Sequence, residues 1–276
     1  MKKNYAGGKI FTALTYFFLY APIIVLIVFS FNATKSRTIW SGFTLDWYRE
    51  LFQDSLIMSS LQTTLEVSVA ASLIAAVIGT FAAIGFYNMK KNWRSPLLLI
   101  NNIPVVNADI ITGVSLSLLF VSAGAILHFE LGFGTLLIAH ISFDIPYVIL
   151  SVMPKLYQLD RNLFEAAQDL GCTWFQTIYK VIIPEIMPGI INGLLIAFTM
   201  SVDDFVISYF TAGSSVQTLS MTIYAMTRRR ISPKINAIST LLFAVVLILL
   251  VIVNVRESRQ SKAEIKKEAM LKGVLE

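Results

Sequence analysis

Six apolar runs, at about 10–31, 59–86, 97–122, 135–153, 186–210 and 232–255, alternate with polar stretches along the 276-residue chain. Each is close to or above the ~20 residues a helix needs to cross a ~30 Å hydrocarbon core. The pattern predicts an all-α polytopic protein with six transmembrane helices forming a single transmembrane domain, 1–276. The first run is 22 residues long, exceeds a signal-peptide core and has no small-x-small cleavage site behind it. It is therefore expected to remain as an uncleaved span, bent at Pro22. Asn101, Asn102, Pro104, Asn107 and Asp109 crowd the first half of the third run. Lipid cannot solvate that load, so a broken or protein-facing helix is expected there. The sixth run opens with Ser232 as N-cap and Pro233 in the first turn. Residues 32–58 interleave polar groups with Trp40, Phe43, Trp47, Tyr48 and Phe52, as an amphipathic segment at the membrane interface does. A ligand-stacking use of those rings is the secondary reading.

The loop at 154–185 is the longest polar interruption between spans whose local signals specify structure. Asp160 can cap a first short helix, Gly171 can end it in the left-handed conformation, and Thr173 with Gln176 forms a capping box for a second. Pro184 is expected to close the unit. Glu165, Gln168 and Asp169 cannot face lipid, so the element is suited to docking on something soluble. The plain alternative is an ordinary helical hairpin loop.

Composition narrows the class. At 56% hydrophobic and 14% charged, the chain is too apolar for a water-soluble core of this length. The single cysteine, Cys172, excludes an internal disulfide and reads as an idle thiol. The net charge of +5 is spread over loops and tail without a nucleic-acid motif, so no nucleic-acid partner is expected. With the N-terminus in the cytoplasm, 15 of 22 Lys and Arg fall inside, and both termini are cytoplasmic. Arg228, Arg229, Arg230 and Lys234 run against that count. The tail, 256–276, mixes Lys and Glu and reads as a solvated helix or disordered end.

Candidate chemistry is sparse. No GxxxxGK[ST], HExxH or GxSxG motif is present, so no catalytic residue, metal site or cofactor is expected in this chain, and if it moves a solute against a gradient the energy must enter through a partner or through an ion gradient. The spans carry five carboxylates, Glu66, Asp109, Asp144, Asp203 and Asp204, and of Lys and Arg only Lys234, in the first turn of the sixth. Each costs roughly 2.5 to 3.5 kcal/mol to insert, so they should face the interior. At ~1.5 Å per residue, Asp109 and Asp144 fall near mid-depth and the other three in the outer half. Unbalanced negative charge suits a cationic cargo moving along the path; the alternative is protonation or bonding to neighbouring Asn, Ser or Thr. Asp203 and Asp204 point ~100° apart on a helix, so one is expected to face the path while the other pins a neighbour. His140 reads as an interhelical donor.

Glu165-Ala166-Ala167, Gly171 and Val181-x-Ile183-Pro184 together resemble the EAA loop of ABC-importer permease subunits, with Val181 and Ile183 as volume-conserving departures. The resemblance implies a MetI-like permease fold and an ATPase-coupling role for Glu165, Ala166, Ala167, Asp169, Gly171 and Pro184. Ser201-Val-Asp-Asp-Phe-Val-Ile-Ser208, 232–237, Ala108-Asp109-Ile110 and the stretch from Gly42 to Tyr48 are similar to the second permease subunit of spermidine/putrescine importers, in order along nearly the whole chain. Glu66 and Arg228 to Arg230 lie outside these motifs. The implied setting is the bacterial plasma membrane, with a homologous second permease, an ATPase dimer and an extracytoplasmic polyamine-binding protein as partners. The competing readings are the same architecture with another solute (an Fe(III) complex, thiamine or an organophosphonate), an ion-coupled secondary carrier, and a membrane scaffold.

Overall fold

The computed structural model describes residues 6–34, 39–160, 162–229 and 233–275. Lys2, Lys3, Arg230 and the expected cap Ser232 lie outside them. The helices, in chain order, are α1 (Ala6–Phe29), α2 (Asp46–Gln53), α3 (Ser55–Asn88), α4 (Lys91–Val106), α5 (Asp109–Leu127), α6 (Phe133–Gln158), α7 (Leu163–Asp169), α8 (Trp174–Thr177), a π turn (Ile178–Ile182), α9 (Ile183–Asp203), α10 (Val206–Thr211), α11 (Leu219–Arg229) and α12 (Pro233–Leu275). Among the described residues there is no β-sheet, only an isolated bridge between Asn32 and Phe43. Six segments are long and apolar enough to cross a membrane: Ile10–Phe29, Ser55–Asn88, Asp109–Leu127, Phe133–Gln158, Trp174–Asp203 and Pro233–Val255.

Three boundaries differ from the sequence pattern, each for a local reason. The run at 97–122 is two helices. Pro104, which cannot donate a backbone hydrogen bond, sits in the last turn of α4, and Asn107 and Ala108 are extended (ψ 153° and 131°). The crossing segment therefore starts at Asp109, so this carboxylate begins a helix instead of lying halfway along one. The fifth crossing begins at Trp174 because α8, the π turn and α9 run on without interruption, and Pro184 occupies the first turn of α9 rather than closing the loop. It ends at Asp203, since Asp204 turns extended (ψ 130°) and α10 starts afresh.

The chain divides into two compact units, Met1–Ser59 with Thr222–Val245, and Ser60–Met221 with Val246–Glu276. In the larger unit α6 is the central element, burying residues from Thr135 to Leu156. Its Val148, Val152 and Leu156 pack with Ala83 and Ile84 of α3, Ile178 and Ile182 of the π turn, and Ile186 and Ala197 of α9. Small residues permit this contact. A Cβ on Gly193 would stand 3.0 Å from the Val148 Cα, and one on Gly189 would stand 2.9 Å from the Ser151 carbonyl oxygen. In lipid, helices gain little from hydrophobic exclusion, so backbone approach of this kind carries the association.

The smaller unit is held by side chains around Asn32. The Trp47 Nε1–H donates to the Asn32 carbonyl at 2.7 Å, and Asn32 itself bonds Ile39 and Ser41. Phe31 stacks on both Phe43 and Tyr48, with ring centroids 5.4 and 5.2 Å apart. The aromatics expected at the interface thus partly pack on one another. Lys234, at the start of α12, lies 3.1 Å from Glu50 and 4.0 Å from Asp54, so one member of the anomalous basic cluster has its charge matched locally.

Candidate functional site

Two polar regions of the larger unit hold the residues singled out from sequence. The first is the short-helix element. Asp160 receives the Asn162 and Leu163 amides, through its carboxylate at 2.9 Å and its carbonyl at 3.1 Å, just ahead of α7. Gly171 has φ +88°; its N–H bonds the Gln168 carbonyl at 2.8 Å, while the Cys172 N–H reaches back to Ala167 at 3.1 Å. This pair of bonds is the Schellman arrangement, and it requires a left-handed residue at Gly171. The capping box is present, with Thr173 N–H on Gln176 Oε1 at 3.0 Å and Gln176 N–H on Thr173 Oγ1 at 3.4 Å. Ala167 alone of the EAA residues is buried, whereas Glu165, Ala166 and Asp169 are exposed. Sequence reasoning missed Leu170, Phe175 and Tyr179, which are 87%, 78% and 74% exposed on the same element. Their signal was present, as large apolar residues without a helical partner stripe in a polar loop.

The second region joins α6, α9 and α10. His140, almost fully buried, bonds Ser201 Oγ through Nδ1 at 2.7 Å and Ser208 Oγ through Nε2 at 3.0 Å. Asp204 accepts the Ile207 N–H at 3.2 Å, the Ser208 N–H at 2.7 Å and the Ser208 hydroxyl at 2.8 Å, which places it as the cap of α10. Because the Ser208 proton is given to Asp204, its oxygen accepts from His140 Nε2–H, and Nδ1 of a neutral ring accepts from Ser201. Every donor in this chain is directed toward Asp204. The Thr135 hydroxyl adds a further tie, donating to the Thr211 carbonyl at 2.7 Å.

The neighbouring carboxylates are placed differently. Asp203, the last residue of α9, is exposed, and so is Asp109, the first residue of α5. Asp144 lies one helical turn from His140, is fully buried, and neither of its oxygens has a hydrogen-bond partner among the described residues. Glu66 is exposed on α3 and accepts from Gln62 Nε2 at 2.8 Å, a bond within one helix turn that ties it to none of the others. The starts of α5 and α10 meet closely: a Cβ on Gly113 would lie 3.1 Å from the Phe210 ring and 3.4 Å from the Val206 carbonyl oxygen. Two helix interruptions, at Asn107–Ala108 and at Asp204–Phe205, are thereby held within one packed group, and each exposes a carboxylate. The C-terminal ends of α4 and α9 meet the N-terminal ends of α5 and α10 at these interruptions, bringing partial charges of both signs there. Discontinuous helices whose ends carry such charge are the usual way a membrane protein presents a solute site away from lipid.

Comparison with known proteins identifies the family and the fold. Residues 1–256 match the family described as the binding-protein-dependent transport system inner membrane component. The chain is 38% identical over 232 residues to the putrescine transport system permease protein PotI of Escherichia coli (strain K12), covering 83% of each chain. It is 35% identical over 247 residues to the spermidine/putrescine transport system permease protein PotC of the same organism, covering 88% of this chain and 90% of that one. A crystal structure of a bacterial alginate ABC transporter in complex with an alginate-bound periplasmic protein shares the fold, with a TM-score of 0.69 at 18% identity over 92% of this chain and 94% of that chain. On the family match, the relatives and the six-crossing helical fold together, the chain belongs to the inner membrane component family of binding-protein-dependent transport systems.

Proposed function

We propose that the chain is one permease subunit of an ATP-driven polyamine importer, contributing half of the path that spermidine or putrescine follows. As a member of its family it is a non-catalytic, multi-pass membrane subunit that works with a second permease, an ATPase and a substrate-binding protein. The observation that carries the polyamine reading is the exposure of Asp109 and Asp203 at adjoining helix interruptions, 107–109 and 203–205, neither of which contains a Lys or Arg. An ammonium group leaving water meets a large desolvation cost, which a fixed carboxylate and helix C-terminal carbonyls offset. Asp204, engaged by three hydrogen bonds, acts in this reading as the pin that breaks the helix and turns its neighbour outward.

The Glu165 to Pro184 stretch docks on the ATPase, with Glu165, Ala166, Asp169 and the exposed Leu170 outward, Ala167 as inward anchor, and Gly171 setting the angle between α7 and α8. Closure of the ATPase dimer then moves this element and rocks the spans joined to it through α9. This places the element and both termini in the cytoplasm of a bacterial cell and ATP on the partner.

The test is uptake into liposomes holding the complete complex with ATP inside and binding protein outside. Labelled putrescine and spermidine should accumulate only with ATP. Accumulation driven by a proton or sodium gradient without ATP would favour the secondary carrier, and ATP-driven uptake of thiamine, an organophosphonate or an Fe(III) complex in place of polyamines would transfer the architecture to another cargo.

A further inference from the structure

Where α7 folds back beside the ends of α3 and α6, a cavity of about 220 Å³ opens between them. Tyr87 and Phe164 supply aromatic walls, Ile178 and Ile182 of the π turn supply an apolar floor, and the carboxylates of Asp160 and Glu165 stand at its exposed edge. No Lys or Arg is among the lining residues that the structure describes. The neighbouring guanidinium, Arg94, is directed elsewhere: it lies 5.4 Å above the Tyr157 ring and bonds the Tyr87 carbonyl at 3.4 Å. Apolar and aromatic walls ending in two carboxylates describe the complement of a short alkyl chain that ends in a cation. The volume lies below the ~300 to 1,000 Å³ of clefts that take drug-sized molecules, which limits the ligand to a small one.

We propose that this cavity binds a short alkylammonium ion and that its occupancy holds the coupling element against the bundle, slowing ATP turnover. The floor is a π turn, a helix form that occurs mostly as single turns and frequently at functional positions. A ligand bridging Phe164 of α7 and Ile178 of the π turn links the two halves of the coupling element to α3 and α6. The proposal rests on reading Leu163 to Thr177 as that element, and is independent of which solute crosses the membrane.

The experiment titrates the assembled complex in nanodiscs with labelled n-butylamine by equilibrium dialysis, with 1-butanol as the uncharged analogue and ATP turnover followed in parallel. Saturable binding that butanol does not displace is expected, together with slower ATP turnover at saturation. Asp160→Asn keeps the oxygen that receives the Asn162 amide but loses the charge, and should weaken binding at least about tenfold. Asp160→Glu should restore it, and Phe164→Leu should weaken it by a smaller factor with the charge intact. Assembly of the Asp160→Asn complex at the parental level serves as the folding control; if that variant does not assemble, Phe164→Leu decides. Absence of saturable binding, binding indifferent to both variants, or binding without an effect on turnover would overturn the proposal. So would loss of binding in Asp203→Asn, because the amine would then be sitting in the transport path. A failure of polyamine uptake with butylamine binding intact would instead count against the cargo reading alone.

Discussion

The coupling element makes its stabilising bonds between residues three to five apart in sequence, Gly171 to Gln168, Cys172 to Ala167 and Thr173 to Gln176. The polar network around His140 draws on partners 61 and 68 residues away. The first region is largely exposed and is capped by residues within its own short sequence, so a substitution there changes its angle and leaves the spans in place. The second is buried, and each of its members loses a partner when another is removed. One region is therefore a surface that can be moved as a unit, and the other is a clasp that fixes where α9 ends.

The largest effect is expected at the clasp. His140→Ala leaves the Ser201 and Ser208 hydroxyls each short of a partner in a buried site, at about 1 to 3 kcal/mol for each unsatisfied group. The expected outcome is a severe fall in folded protein, read as monodisperse complex after purification. Parental yield and thermal stability would remove the contrast between the regions. Gly193→Val comes next, because its side chain would press on the Val148 backbone at 3.0 Å or less and part α6 from α9. Overpacking of this kind costs about 1 to 3 kcal/mol. Limited proteolysis should show the α6–α9 pair opening.

Gly171→Val acts on the other side of the comparison. A branched residue at φ +88° is strained by about 1 to 2 kcal/mol, and the Schellman turn should open. The spans should insert normally while ATPase co-purification and uptake drop together; normal uptake with intact ATPase binding would sink the coupling role. Thr173→Ala removes one half of the capping box and should cost about 1 kcal/mol, seen as a partial loss of coupled ATP turnover. The smallest effect is expected for Glu66→Gln, whose bond to exposed Gln62 is of the i,i+4 kind worth about 0.2 to 0.5 kcal/mol. An uptake defect there would move the path to a face of α3 that the present site does not include.

The same contrast explains what the sequence disclosed. Gly171 and the Thr173–Gln176 box were legible because caps are specified by residues within a single turn of one another. The six crossings were legible because their apolar length has no other use. The break of the third run was foreshadowed by Pro104 and Asn107, but its position was not, since which residue turns extended depends on how α5 meets α10 at Gly113. That one of Asp203 and Asp204 pins a neighbour was expected. Which of the two is pinned required Ser208 and the distant His140, and no spacing rule links residue 140 to residue 204. Pro184 misled because a proline that can end one element serves equally well in the first turn of the next.

The central claim is that Asp203 meets the cargo while Asp204 holds the helix break. It is tested most directly by pairing Asp203→Asn with Asp204→Asn, each assayed for complex assembly and for ATP-driven polyamine uptake. The account predicts that Asp203→Asn assembles at the parental level and imports at least about tenfold more slowly, and that Asp204→Asn chiefly lowers the amount of assembled complex. Parental uptake by Asp203→Asn, together with parental uptake by Asp109→Asn, would contradict it and make the carboxylates structural.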